Sequence, residues 1–208
     1  MAASLLRSLA SAINGYSLYK GASFLAGKLN TKIGSDLLNV IDDGTIPGAL
    51  GSRPFDAEGL PIQKKSVVEK GELQSYLLDT YSGKKLGMAS TGNASRSVGE
   101  PPGASPANFY LAAGKDSPEQ IIGSVKNGLY VTEMIGSGVN MVTGDYSRGA
   151  AGLWIENGAL AYPVEEITVA GNLKEMFQNI EMVGNDLEMR GRIVAPTVKI
   201  SKMTVAGN

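Results

Sequence analysis

The sequence predicts an α+β fold built mainly on antiparallel, barrel-like β-sheet with a few short helices. Hairpin patterns recur along the chain, the helical patterns are short and capped, and strands and helices do not alternate in the way that produces a parallel sheet. Glycine makes up 27 of the 208 residues, about twice its usual share of roughly 7%. With 43% apolar residues and only nine prolines, the chain has the composition of a turn-rich globular protein.

The first residues have the pattern of an amphipathic helix. Apolar side chains recur on one face at helical spacing: Leu5, Leu6, Leu9 and Ile13. All charges before Asp36 are basic, a composition that mitochondrial transit peptides share. The periodicity favours a helix of the folded domain over a targeting segment. Residues 14–30 are mixed in pattern because Gly15, Gly21 and Gly27 interrupt them.

The next stretch predicts a hairpin followed by a long loop. Residues 62–68 and 73–78 read as two strands, with a turn at residues 69–72. Residues 82–86 predict at most one helical turn. Residues 90–105 are rich in Gly, Ser, Asn and Pro, which predicts a long, mobile loop.

A capped helix and two strands are predicted to follow. Ser117 has the features of a helix N-cap, because Pro118 takes the first helical position and Gln120 lies three residues after the cap. We expect that helix to run to about Asn127. The next residues predict strands at 129–135 and 139–143.

The C-terminal third contains the clearest hairpin signal. Residues 151–156 and 159–164 flank Asn157 and Gly158, a pair suited to the two positive φ angles of a type I′ turn. Asn172 is expected to cap a short helix ending near Ile180, and residues 192–206 predict one or two final strands. No linker divides the chain, so we expect residues 1–208 to form a single domain.

Histidine and cysteine are both absent, which restricts the chemistry of the chain. A cysteine nucleophile, a Ser-His or Cys-His pair and a zinc site of imidazole or thiolate ligands are excluded. Carboxylates, lysine, tyrosine and serine remain, and a Ser-Lys dyad stays open. The net charge of −1 offers no field for nucleic acid, and no apolar stretch is long enough to span a membrane. The lack of cysteine is compatible with a cytoplasmic protein.

Acidic residues occur in three close pairs: Asp42 with Asp43, Glu165 with Glu166, and Asp186 with Glu188. Such pairs could hold a hard metal ion or act as an acid and a base. Solvated turns and strand faces explain them more simply, so we expect all three pairs to face water.

The best candidate site is a polar run between two glycines at the end of a predicted strand. Its members are Asp145, Tyr146, Ser147 and Arg148. They could form an accessible binding site. Alternatively, they form a structural turn closed by a pair between Asp145 and Arg148.

The same region carries a resemblance to a known family. Residues 142–158, 162–173 and 183–186 resemble the C-terminal half of the TldD/PmbA family, and residues 51–59 and 81–93 are similar to upstream segments of that family in the same order. The resemblance implies that residues 1–208 are one C-terminal domain and that the N-terminal domain of the family is absent from them.

The resemblance also implies a function. In this family a TldD-type subunit holds zinc through an HExxxH helix and a cysteine, and its PmbA/TldE-type partner lacks those ligands. Together they form a cytosolic metallopeptidase that degrades or processes peptides. With no histidine, and no cysteine at residues 187–192, this chain resembles the PmbA/TldE side. The resemblance therefore implies no metal or catalytic residue in this chain and zinc in the TldD-type partner.

We accordingly expect a non-catalytic subunit that supports peptide binding and assembly, with Asp145, Tyr146, Ser147 and Arg148 lining or bracing the channel for an extended peptide. The expected partner is a TldD-type catalytic subunit, with no direct contact to nucleic acid or membrane. The alternative is a homodimeric module that binds peptides or a partner without proteolysis. Residues 94–106 lack the histidines of the corresponding family loop, which weakens the idea that this loop touches a metal in the partner.

Overall fold

The computed structural model describes residues 1–207, and its architecture is α+β, as the sequence predicts. The helices are short: α1 (Ala2–Ala12), α2 (Gly15–Tyr19), α3 (Thr80–Leu86), α4 (Pro118–Gly123) and α5 (Leu173–Gln178). No helix in the described part is both long and apolar enough to cross a bilayer.

Most of the structure is strand. In chain order the strands are β1 (Val40–Asp43), β2 (Lys64–Glu69), β3 (Glu72–Leu73), β4 (Ala94–Ser95), β5 (Gly103–Ala104), β6 (Phe109–Leu111), β7 (Asn127–Ile135), β8 (Asp145–Glu156), β9 (Ala159–Asn172), β10 (Ile180–Val183), β11 (Ile193–Val194), β12 (Val198–Ile200) and β13 (Thr204–Ala206).

These strands form two larger sheets and two small pairs. One sheet has the order β11-β6-β1-β2-β3, and the other has the order β13-β9-β8-β7. Among the strand pairs of residues 1–207, β11 and β6 run parallel and the other pairs are antiparallel. Strands β10 and β12 pair separately, as do β4 and β5. Both large sheets are open in the described part of the chain.

The main core lies between the first sheet and helices from both ends of the chain. The apolar face of α1 is buried as its periodicity predicts, and Leu9 and Ile13 are fully enclosed. Phe109 of β6 and Phe177 of α5 are buried in the same cluster. A second, much smaller cluster lies on the four-stranded sheet and consists of Ala150, Ile167 and Val169.

Several predicted elements are confirmed by their local signals. Asn157 and Gly158 have φ angles of 50° and 82° in the turn between β8 and β9. Ser117 caps α4 in a capping box with Gln120, and the side chain of Asn172 caps α5. These features depend on neighbouring residues in the chain, which explains why the sequence predicts them.

Other predictions need correction. The helix α4 ends at Gly123 instead of Asn127, because the Asn157 and Gly158 amides donate to the carbonyls of residues 126 and 125 and hold that stretch extended. Residues 139–143 form a turn and not a strand, since the Asn140 side chain accepts hydrogen bonds from the amides of residues 142 and 143.

The region of the expected long loop also differs from its prediction. Residues 90–105 contain the short β4–β5 hairpin, and α3 is longer than the single turn expected from its sequence. Asp79 and Ser82 form a capping box at the start of α3. Gly15, the first residue of α2, permits the close contact between α2 and α3, because a Cβ atom there would lie 2.1 Å from the Ser82 hydroxyl.

Candidate functional site

The predicted polar run begins β8, and the connection from β7 folds back over it. The Ser147 amide donates to the Gly138 carbonyl at 2.7 Å, and the Asn140 amide donates to the Asp145 carbonyl at 2.8 Å. This backbone pairing leaves an open depression of about 420 Å³, lined by residues 137–140 and 145–147. The depression is adjacent to the end of β7, which is an edge strand of the four-stranded sheet.

Asp145 lies at the rim of this depression with its carboxylate exposed. Its Oδ2 accepts from the Thr143 hydroxyl at 2.6 Å, and its Oδ1 accepts from the Asn172 side-chain amide at 2.9 Å. The hydrogen bond from Thr143, and then that from Asn172, holds the pKa of Asp145 below its ordinary value. The carboxylate is therefore ionised at neutral pH and fixed in direction.

The other three residues are divided between the two faces of β8. Ser147 is exposed beside Asp145, whereas Tyr146 is buried, which raises the pKa of its hydroxyl. Arg148 is half-buried and reaches the Met134 carbonyl with its Nη2 at 3.4 Å. The structure thus brings Asp145, Tyr146 and Ser147 to the depression and places Arg148 outside its lining.

The alternative of a structural turn closed by Asp145 and Arg148 is wrong, because the two side chains do not bond to each other. Asp145 bonds to Thr143 and Asn172, and Arg148 bonds to a backbone carbonyl. Alternation along the strand explains this difference, because residues three apart in a β-strand point to opposite faces. The Nε of Arg148 is buried without a hydrogen-bond partner among residues 1–207.

A second polar cluster, which the sequence did not indicate, is buried beneath the 94–106 loop. Asp42 is only 1% exposed, so the expectation of a solvated pair at Asp42 and Asp43 is wrong. The Asp42 carboxylate accepts from the Asn93 side-chain amide and from the Ala107 backbone amide, both at 2.7 Å. Burial raises its pKa, and the bond from Asn93 and the charge of Lys65 partly oppose that rise.

Lys65 is the half-buried cation of this cluster. Its Nζ lies 3.6 Å from the Asp42 carboxylate and donates to the side-chain oxygen of Asn93 at 2.7 Å. Burial lowers the pKa of Lys65, and Asp42 opposes that shift. Because Asn93 and Ala107 flank the loop, the cluster attaches both ends of the loop to β1 and β2.

Two arginines hold the same loop from outside. Arg53 Nη2 donates to the Ala94 carbonyl at 3.2 Å, and Arg192 Nη2 donates to the Pro106 carbonyl at 2.8 Å. Asp56 accepts from the Ala94 amide at 3.0 Å. The base of the loop is therefore held by charged groups from several parts of the chain, and only its tip is free of them.

The remaining acidic pairs face water, as expected. Glu165 and Glu166 are exposed, Asp186 accepts from the Thr197 amide and hydroxyl, and Glu188 pairs with Arg190 at 2.6 Å. In residues 1–207 no three acidic side chains converge as metal ligands. The residues present therefore do not fit a zinc site.

The sequence of the chain matches a known family model. The match to the PmbA/TldA metallopeptidase C-terminal domain covers residues 1–207. The chain belongs to this family. It is therefore a C-terminal domain of the PmbA and TldD type, which confirms the resemblance found in the sequence.

Individual relatives agree with this assignment. Metalloprotease PmbA of Escherichia coli O157:H7 is 42% identical over 207 residues, which cover 100% of this chain and 44% of that protein. A Metalloprotease TldD homolog of Buchnera aphidicola is 33% identical and covers 90% of this chain and 42% of its own length. The crystal structure of TldE from Thermococcus kodakarensis superposes with a TM-score of 0.85 at 28% identity, covering 97% of this chain and 47% of that one. The chain thus spans less than half of these relatives.

Proposed function

We propose that this chain is the C-terminal domain of a non-catalytic, PmbA/TldE-type subunit that works in the cytosol with a zinc-bearing TldD-type partner to degrade or process peptides. The observation that carries the proposal is the chain's greater identity to PmbA, 42%, than to the TldD homolog, 33%, in a sequence without histidine or cysteine. Such a chain has no imidazole or thiolate with which to hold zinc.

The geometry supports a role in holding an extended peptide. The outer edge of β7 pairs with no other strand of residues 1–207, and it ends where the polar depression begins. An extended segment could add to that edge through main-chain hydrogen bonds. Asp145 and Ser147 would then lie at the end of its path, where an ionised carboxylate and a hydroxyl can bind backbone amides or a basic side chain.

In this proposal the two subunits have different roles. Zinc in the partner would supply the activated water, because a bound zinc ion lowers the pKa of water to about 7. Residues of this chain would keep the peptide extended. Tyr146 would hold the start of β8 in place because its side chain is buried in the core. Arg148 would do the same through its hydrogen bond to the Met134 carbonyl.

Peptide cleavage by a TldD-type protein, measured with and without this chain, tests the proposal. We expect cleavage to increase when the two are mixed and to disappear on chelation of zinc. Unchanged cleavage in the absence of this chain would rule out the accessory role. A homodimer of this chain that binds peptide without stimulating cleavage would favour the alternative of a peptide-binding module.

A matched pair of variants tests the site itself. Ser147→Trp fills the depression, and Ser11→Trp places the same side chain on the exposed face of α1. We expect S147W to lower the stimulated rate at low peptide concentration about fivefold, with the KM raised and partner binding retained. Equal rates for the two variants would remove the depression from the peptide path.

A further inference from the structure

A second cavity, separate from the polar depression, lies between α2, α3 and the β4–β5 hairpin. It also measures about 420 Å³, and rings of tyrosine and proline form much of its wall: Tyr16, Tyr19, Tyr81, Pro101 and Pro102. Cavities of roughly 300–1,000 Å³ with apolar linings and a few polar groups are typical of binding sites. Glu58 and Asp79 are the acidic members of this lining.

The three tyrosines form a row of edge-to-face rings. The ring centres of Tyr16 and Tyr19 are 5.4 Å apart, and those of Tyr19 and Tyr81 are 5.8 Å apart. Tyr16 and Tyr81, at the ends of the row, are 61% and 58% exposed. Large aromatic rings exposed at these levels on packed helices offer contact surface at a low cost in side-chain entropy.

The row is held in place by the helices that carry it. Gly15 lets α2 approach α3 closely, since any Cβ atom there would overlap Ser82. The α3 capping box of Asp79 and Ser82 fixes the start of the helix that presents Tyr81. Glu58 accepts from the amide and hydroxyl of Thr80 at 2.8 and 2.7 Å. The rings are therefore preorganised.

Positive charge flanks the row at both ends. Lys20 Nζ lies 5.9 Å from the Tyr16 ring centre, and Lys85 Nζ lies 5.5 Å from that of Tyr81. Neither lysine has an acidic partner within ion-pair distance among residues 1–207. The two carboxylates of the lining are engaged at the start of α3, Glu58 by Thr80 and Asp79 by the Ser82 amide. An occupant whose negative charge lies at an end of the row, away from these carboxylates, would complement Lys20 or Lys85.

We propose that this tyrosine row binds an extended, proline-containing peptide segment with an acidic residue next to its prolines. A polyproline II helix has three residues per turn and no internal hydrogen bonds, so its proline rings can pack on the exposed faces of tyrosine rings. Its backbone carbonyls have no internal hydrogen bonds and can accept from tyrosine hydroxyls. The acidic residue would pair with Lys20 or Lys85.

The chain itself contains a segment of this composition at the cavity. Glu100 precedes Pro101 and Pro102, and the two prolines line the same cavity as the tyrosines. The Glu100 carbonyl accepts from the Nε of Arg96 at 3.0 Å within the loop tip that carries these prolines. Tyrosine and proline rings thus already line one cavity, and an incoming segment would extend that contact.

Fluorescence anisotropy with a labelled peptide tests the proposal directly. The probe is a capped octapeptide containing Glu-Pro-Pro-Glu, titrated with the 208-residue chain. One comparison peptide has both prolines replaced by alanine, and another has both glutamates replaced by lysine. We expect saturable binding of the probe, at least tenfold weaker binding of the alanine peptide and at least threefold weaker binding of the lysine peptide. Equal binding of all three peptides would overturn the proposal.

Variants distinguish this site from the rest of the surface. Tyr81→Ala should weaken probe binding about tenfold, while Tyr162→Ala, an exposed tyrosine on β9, should not change it. Lys85→Glu should weaken binding of the acidic probe and strengthen binding of the lysine peptide. Thermal melting checks that each variant is folded, and Tyr16→Ala replaces Tyr81→Ala if the latter is not. Unchanged affinity in a folded tyrosine variant would contradict the site.

A negative result for peptide binding at the tyrosine row can be distinguished from failure of the proposed subunit role. Ser147→Trp changes only the polar depression, so it should leave probe binding unchanged. Loss of probe binding in that variant would place the peptide at the depression and overturn the assignment to the tyrosine row. Stimulation of a TldD-type partner is measured independently of either result.

Discussion

Asp42 and Lys65 lie on neighbouring strands, and burial shifts their pKa values in opposite directions. It raises the pKa of the carboxyl and lowers that of the ammonium, because desolvation disfavours each charge. Hydrogen bonds from Asn93 and the Ala107 amide stabilise the carboxylate, and Asn93 also accepts from the ammonium. The two charges therefore depend on one another and on the base of the loop.

Replacing Lys65 by methionine should destabilise the fold by about 2–4 kcal/mol at neutral pH, because it leaves a buried carboxylate without its counter-charge. The folded-state pKa of Asp42 then rises further above its unfolded value. A raised carboxyl pKa disfavours folding above that pKa, so the loss should shrink as the pH falls through it. Urea unfolding at pH 7 and pH 5 measures both effects.

Lys64→Met is the matched control for this prediction. Lys64 is exposed on the same strand and should be replaced with less than about 0.5 kcal/mol of change. A loss in Lys65→Met that is equal at both pH values would show that packing of the lysine stem, and not the charge of Asp42, carries its contribution.

The buried position of Asp42 could have been inferred only in part from the sequence. Val40 and Ile41 precede it and are typical of a strand, and a strand crossing a core buries alternate side chains. The partners of the carboxylate are 51 and 65 residues away along the chain. The spacing of residues within a local segment does not reveal contacts between residues so far apart in the sequence. Conversely, Asp145 and Ser147 are accessible, as the polar composition around them suggested.

The connection between β7 and β8 depends on glycine at one point of close approach. A Cβ atom on Gly138 would lie 1.8 Å from the Ser147 carbonyl oxygen. The two residues also share the hydrogen bond from the Ser147 amide to the Gly138 carbonyl. The backbone of the connection can therefore lie against β8 only without a side chain at this position.

Gly138→Ala should displace the connection and open the depression. We expect a destabilisation of about 1–3 kcal/mol, as for other substitutions that force backbone apart. The amide of Ser147 should lose protection from hydrogen exchange. Gly123→Ala is the control, because a Cβ atom there has nothing within 4 Å. If the Ser147 amide keeps its protection from hydrogen exchange in Gly138→Ala, this account of the connection is contradicted.

At the scale of elements, the sequence predicts those that are specified locally. The Asn157–Gly158 turn and the caps at Ser117 and Asn172 act within a few residues, and all three are present. Strands β1 and β6 were not predicted, because they are short and obtain their stability from pairing with each other and with distant strands. Their formation depends on the assembled sheet.

The whole molecule has two apolar clusters of very different size. The main core joins α1, α5 and the five-stranded sheet, whereas Ala150, Ile167 and Val169 form the small cluster on the four-stranded sheet. Two half-buried methionines, Met134 and Met203, pack against both clusters. The outer part of the β7–β9 sheet, farthest from these methionines, has few buried side chains and should open at a lower free energy than the core.

Truncating one residue in each cluster tests this hierarchy. Leu9→Ala removes a fully buried side chain from the main core and should cost about 2–5 kcal/mol, lowering hydrogen-exchange protection throughout the chain. Ile167→Ala lies in the small cluster and is 8% exposed, so its cost should be smaller, with protection lost mainly in β8 and β9. Native-state hydrogen exchange resolves the two patterns. An equal loss of protection in α1 for both variants would mean that the clusters unfold as one unit, with the methionines coupling them completely.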